Sequence, residues 1–112
     1  MTLDALKAFG ANTDEGMRRC LNKEDFYLKM VAMTLADGNF DALKKAMDAG
    51  DIHGAFAAAH SLKGTTGNVA LTPIYEPVCA LTELLRGKDT QAESGDALLE
   101  QIMAAREQAL RL

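Results

Sequence analysis

Ala59-His60-Ser61-Leu62-Lys63-Gly64 sets an imidazole, a cation three residues later and a residue without a side chain four later. On a helix, positions three and four apart are neighbours, and each side chain leans back over the preceding turn. Lys63 then reaches back toward His60, while Gly64 puts nothing over the ring. Imidazole, with an ordinary pKa of about 6.5, offers a nucleophilic nitrogen at neutral pH without an adjacent base. The trio is a nucleophile, a cation and an opening.

The helix that must carry them is legible from its apolar period. At about 100° per residue, Ile52, Ala55, Phe56, Ala59, Leu62, Thr66 and Val69 fall on one arc, and His60 lies roughly 120° from its middle. His60 is therefore expected to face solvent from a strip of small residues, Ala57, Gly64 and Gly67. Each glycine inside a helix costs about 1 kcal/mol relative to alanine, so their retention calls for a reason. Open access to the ring by a bulky partner is one.

The rest of the chain reads as helices with caps. Thr2 caps a first helix ending near Gly10, and Asn12 or Thr13 caps a second through Leu21. Asn22 precedes a helix over Lys23 to Asp37 with Phe26, Met30, Val31, Met33 and Leu35 as its apolar stripe, stopped by Gly38. Asn39 opens the next, with Phe40, Leu43 and Met47 inward and Gly50 as its stop. Asp51 starts the histidine helix, which the period extends to about Val69 or Ala70. Thr72 caps a helix with Pro73 first and Pro77 at the end of the first turn, running through Val78, Leu81, Leu84 and Leu85 to Gly87. The final helix starts between Thr90 and Asp96 and carries Leu98, Leu99, Ile102, Met103, Ala105 and Leu110 at helical spacing.

Abundant Ala, Leu, Met, Glu, Asp and Lys with few β-branched or aromatic residues favour an all-α protein. Short connections between amphipathic helices imply antiparallel neighbours, so the predicted architecture is an up-down antiparallel four-helix bundle with additional short N-terminal helices. The 112 residues suffice for a single domain, 1–112. The net charge of -4 argues against nucleic acid, which wants a clustered basic footprint. No apolar run reaches the roughly 18 to 20 residues of a membrane span, and no signal segment opens the chain, so a reducing cytoplasm is expected. Cys20 and Cys79 are expected as buried, reduced core residues, and the methionines and phenylalanines as core filler. No phosphate-binding loop or metal-ligand spacing occurs, which counts against an ATP-using enzyme.

Ala59-His60-Ser61-Leu62-Lys63-Gly64 resembles the phosphorylation motif of histidine-containing phosphotransfer (HPt) domains. Phe26 in the helix after Asn22, the helix leading into Asp51, and Cys79-Ala80-Leu81-Thr82-Glu83 with Arg86 also sit where HPt domains carry similar residues, so the resemblance covers nearly the whole chain. It implies a four-helix bundle whose exposed His60 accepts a phosphoryl group from the aspartyl phosphate of a receiver domain and passes it to another. Lys63 would stabilise the phosphate, as the one cation within reach, and Gly64 would give access to His60. By the same resemblance the protein has no kinase or ATPase activity and no cofactor of its own, the Mg2+ belonging to the partner receiver. The implied partners are receiver domains of response regulators and hybrid histidine kinases; composition points to no nucleic acid and no membrane, and with no feature that specifies an oligomer a monomer is the default. The alternative in a different class is a non-transferring adaptor that docks a receiver or sensor kinase.

The chain departs from the family pattern after Gly64. Gly67-Asn68-Val69-Ala70 shifts one glycine and leaves Ala70 where a later glycine would fall. A helix that simply stopped at Gly64 to Gly67 would put His60 near a negative terminus and favour its protonated form. Leu62, Thr66 and Val69 keep the helical period and favour continuation. His53, seven residues earlier, is read as a bystander.

Overall fold

Helix starts fall where a side chain can take an orphan amide. The computed structural model describes residues 1–87 and 93–112, with the side chains of the last segment described from 95 onward. Thr2 accepts the Ala5 amide at 3.0 Å and opens α1 (Leu3–Phe9), which Gly10 ends at φ 111°. Asn12 accepts the Glu15 amide at 3.2 Å and opens α2 (Thr13–Arg19). That helix stops short of the expected Leu21 because Leu21 and Asn22 turn left-handed, with φ 61° and 55°.

Next come α3 (Glu24–Leu35) and α4 (Asn39–Asp48). Gly38 serves as the N-cap of α4 instead of a plain stop for α3, while Asp37 accepts the Asn39 amide at 2.8 Å. Asp51 accepts the Gly54 amide at 3.0 Å and opens α5 (Ile52–Asn68). Leu71, rather than Thr72, is the N-cap of α6 (Thr72–Leu85); Thr72 is its first residue and Pro77 lies inside the helix, beyond the first turn. α7 spans Glu93–Leu110; the expected starts at 90 to 92 fall outside the described residues.

Packing follows chain order. α4 lies against α5, α5 against α6 and α6 against α7, and α7 returns to touch α3 and α4. The result is an up-down four-helix bundle, α4 to α7, preceded by the two short helices α1 and α2 and by α3. Phe40, Leu43 and Met47 of α4, Ile52, Ala55, Ala58, Ala59 and Leu62 of α5, Ile74, Val78, Leu81 and Leu85 of α6, and Leu99, Ile102 and Ala109 of α7 form the common core. Each large apolar side chain taken fully out of water contributes about 1.5–3 kcal/mol. The buried hydroxyls of Thr66 and Thr82 donate to the carbonyls of Leu62 and Val78, at 2.6 and 2.7 Å, so neither is orphaned. Among the described residues no helix is long and apolar enough to cross a membrane.

Several core expectations are corrected. In α3 the inward residues are Tyr27, Val31, Thr34 and Leu35, whereas Phe26 and Met33 are exposed, at 43% and 58%. The polar atoms of the inward pair are satisfied: Tyr27 donates to the Val69 carbonyl at 2.9 Å and Thr34 to that of Met30 at 2.9 Å. Not all the methionines and phenylalanines are therefore core filler. Cys20 is buried, but Cys79 is only half-buried; both are free thiols. Ala109, not Leu110, is the inward residue at the end of α7. In α5, Phe56 is half-buried and Ala58 takes a core place.

The end of α5 settles the ambiguity after Gly64. The helix continues to Asn68 and closes with the Leu71 amide on the Thr66 carbonyl at 3.0 Å and the Ala70 amide on that of Gly67 at 3.1 Å. This is the paired bonding in which the residue just past the helix adopts the left-handed form, most often as glycine. Here that residue is Ala70, at φ 55°. Its carbonyl accepts the Asn12 amide at 2.9 Å, tying the turn before α2 to the corner between α5 and α6.

Candidate functional site

His60 lies near the middle of α5, four residues past Phe56 and four before Gly64, and is exposed. Its position follows from the packing of Ala55, Ala58, Ala59 and Leu62, which fixes the opposite face of the helix in the core. His60, half-buried Lys63 and Gly64 together line an open groove of about 500 Å³. Asn12, Arg19 at the end of α2, Gly67 and Asn68 of α5, Ala70, and Thr72 and Tyr75 of α6 complete it. The three residues singled out in the sequence are thus brought together. His53 is exposed in the first turn of α5 and does not line the groove.

The two glycines beside His60 have different reasons. A Cβ at Gly64 would meet nothing within 4 Å, so this position is an opening. One at Gly67 would come 2.9 Å from the Cε1 of Tyr75, so Gly67 admits the Tyr75 ring from α6. The expected strip of small residues is therefore open at exposed Ala57 and at Gly64, and covered at Gly67.

Four side chains of the site escaped the sequence reading. Arg19 is a second cation on the groove, held by Glu15 through Nε to Oε1 at 2.9 Å. That hydrogen bond, with the Arg18 charge, keeps the Glu15 carboxyl below its ordinary value. Tyr75 forms a wall, and its hydroxyl is pushed above its ordinary pKa chiefly by the hydrogen bond with Cys79. On the other side of the imidazole, the Phe56 ring stacks on His60 with centroids 5.8 Å apart and planes 19° from parallel. Arg86 covers the Phe56 ring at 5.2 Å and pairs with Glu83, Nη2 to Oε1 at 3.1 Å. The Arg86 hydrogen bond and charge hold the Glu83 carboxyl below its usual range, with a smaller attraction from Lys63.

The aromatic stack was signalled by the spacing of Phe56 and His60, since positions i and i+4 on a helix touch. Arg19 and Tyr75 arrive from other helices and left no local signal. The arrangement presents an accessible imidazole, flanked by an aromatic ring on one side and a cation-bearing polar groove on the other. Such an arrangement can support nucleophilic attack by a ring nitrogen on an electrophile delivered from outside.

The family profile described as the Hpt domain matches residues 30–111, which span most of the chain and include His60, Lys63 and Gly64. The chain belongs to the Hpt family, whose members serve histidine phosphotransfer in phosphorelays and interact with receiver domains of two-component systems. Such domains are, in general, phosphocarriers without kinase activity of their own. No curated relative and no solved structure gives a significant match.

Proposed function

We propose that His60 is the phosphoryl carrier of a multistep phosphorelay, loaded from the aspartyl phosphate of one receiver domain and unloaded onto another. The observation that carries this is an exposed imidazole in the middle of α5, beside Lys63 and the opening at Gly64, in a chain of the Hpt family. In loading, a ring nitrogen attacks phosphorus, the N–P bond forms as the P–O bond to aspartate breaks, and the carboxylate leaves with the bonding pair. Unloading reverses these steps.

The transition state of phosphoryl transfer is loose, so catalysis is mostly positioning and charge stabilisation. The ammonium of Lys63 acts on the phosphate: two unit charges about 4 Å apart attract by around 1 kcal/mol in water, and by about 4 at an effective dielectric of 20. Exposure favours the low value in the free protein, and docking raises it. His60 is far from either end of α5, so the helix termini neither help nor oppose the phosphate. The receiver supplies Mg2+, and the carrier needs no cofactor, ATP or nucleic acid.

The exposed Phe26 and the half-buried Met30 lie on a second groove of about 450 Å³ that shares Arg19 and Asn68 with the first. This apolar shoulder gives a docked receiver surface to bury beside the reacting atoms. Receivers of response regulators or hybrid histidine kinases are the partners, and the carrier acts as a cytoplasmic monomer. Residues 1–112 work as one HPt unit, α1 and α2 being tied on through the bond from Asn12 to Ala70.

The test is incubation with receiver domains carrying labelled aspartyl phosphate, followed by assay for acid-labile, base-stable label. Label is expected on wild type and on His53→Gln, and none on His60→Gln. Full incorporation into His60→Gln overturns the assignment.

A further inference from the structure

We infer that Phe56 is a positioning residue for His60, and that Arg86 holds Phe56 in that role. The inference rests on His60 being the phosphoryl acceptor. An exposed histidine ordinarily samples several staggered side-chain wells, and a nucleophile that wanders is presented to its electrophile only part of the time. Here one side of the imidazole leans on Phe56, the centroids 5.8 Å apart and the planes 19° from parallel. This near-parallel offset arrangement is one that aromatic pairs favour. The side toward Gly64 is empty, so the stack restrains the ring without covering its open approach.

Phe56 is itself only half-buried and needs its own restraint. The Arg86 guanidinium lies over its ring at 5.2 Å, an attraction between cation and ring face. Glu83 fixes the guanidinium in turn, with Nη2 to Oε1 at 3.1 Å and Nε to Oε2 at 3.4 Å. The row Glu83, Arg86, Phe56, His60 thus runs from α6 across to α5, on the flank of the imidazole away from the groove. None of the first three takes phosphate; they set where the ring of the fourth points. Because orientation is most of what a carrier contributes to a loose transition state, the row acts on the rate of transfer and not on docking.

Two measurements on the full chain test this, with Phe56→Leu as the principal variant, Phe56→Tyr as the conservative rescue and Arg86→Gln as the indirect one. In NMR spectra of the phosphate-free protein, the carbon-bound ring protons of His60 carry an upfield ring-current displacement. It is expected to vanish in Phe56→Leu, to persist in Phe56→Tyr and to shrink in Arg86→Gln. In single-turnover transfer from a labelled phospho-receiver, Phe56→Leu is expected to lower the saturating rate about threefold, the ratio of three populated wells to one. Its half-saturating receiver concentration stays unchanged, and Phe56→Tyr transfers at the wild-type rate.

A Phe56→Leu protein that folds and transfers at the wild-type saturating rate overturns the inference. So does a loss confined to the half-saturating concentration, which would make Phe56 a docking contact. Absence of label on wild type would instead remove the phosphocarrier reading and this inference with it, an outcome recognised before any variant is compared.

Discussion

Replacing Gly64 should separate stability from function, because the two respond in opposite directions to the same added atoms. Gly64 is inside α5, and a Cβ there would meet nothing within 4 Å. Gly64→Ala therefore gains helix propensity with no clash, about 1 kcal/mol. At roughly 2.1 cal/mol/K of unfolding entropy per residue over 112 residues, that gain raises Tm by about 4 °C. Gly64→Leu keeps most of the propensity gain, but its side chain leans back over the preceding turn, toward His60. It is expected to fold at least as stably as wild type and to transfer phosphate more than about tenfold more slowly, a barrier increase of at least about 1.4 kcal/mol. Urea unfolding followed by far-UV circular dichroism gives the first quantity, and single-turnover transfer from a labelled receiver the second. A destabilised Gly64→Ala protein would refute the open-space argument, and a folded Gly64→Leu protein with wild-type transfer would refute the access argument.

Other perturbations bear on neighbouring parts of the account. Lys63→Ala should slow loading of His60 by about tenfold while the final extent of label stays the same; an unchanged rate would remove Lys63 from the chemistry. Ala70→Gly should raise the unfolding free energy by about 0.5–1 kcal/mol, read as a higher urea midpoint, since it relieves a left-handed alanine that costs about 1–2 kcal/mol at the expense of a more flexible unfolded chain. A lower midpoint would contradict that. Burial pushes the Tyr27 hydroxyl up to about 12, with a smaller push from Cys20. Below its ordinary pKa of about 10 the phenol is neutral in both folded and unfolded chains, so its stabilisation is complete there. As pH rises from 10 toward 12 the unfolded chain ionises first, and stability falls by up to about 3 kcal/mol. Tyr27→Phe should remove that part of the alkaline loss and forgo about 1 kcal/mol at neutral pH for the bond to Val69; parallel stability profiles for the two proteins would count against it.

The placement of the candidate site was readable where residue chemistry and helical period coincide. His60, Lys63 and Gly64 are local in sequence, and the arc from Ile52 to Val69 fixes which way they face. Caps at Thr2, Asn12 and Asp51 were readable because a short polar side chain before an apolar run has one economical use. In α3, Val31 and Leu35 are inward as expected, but Phe26 and Met33 stood in the reading where Tyr27 and Thr34 are buried, since hydrophobicity ranks the first two higher. Burial of the latter two depends on partners: the carbonyl of Val69, far along the chain, and that of Met30. Gly67 had been joined with Gly64 in one explanation, because nothing local shows that Tyr75 arrives from α6. Arg19 was overlooked for the same reason, being brought to the groove by tertiary packing. Phe56 was absorbed into the core arc although its spacing to His60 marked a stack. The departure at Ala70 was visible as sequence, but only the bonds that close α5 show that alanine keeps the left-handed turn a glycine would adopt more cheaply.

The central claim is tested most directly by a chase through the carrier. Protein loaded with label from one phospho-receiver is freed of donor and mixed with a second, unlabelled receiver. Label should leave the wild-type chain and appear as acid-stable, base-labile phosphate on the second receiver, while His60→Gln, with His53 intact, neither takes nor delivers any. Delivery by the His60→Gln protein, or label that remains on wild type in the presence of every receiver able to load it, would contradict a carrier built on His60.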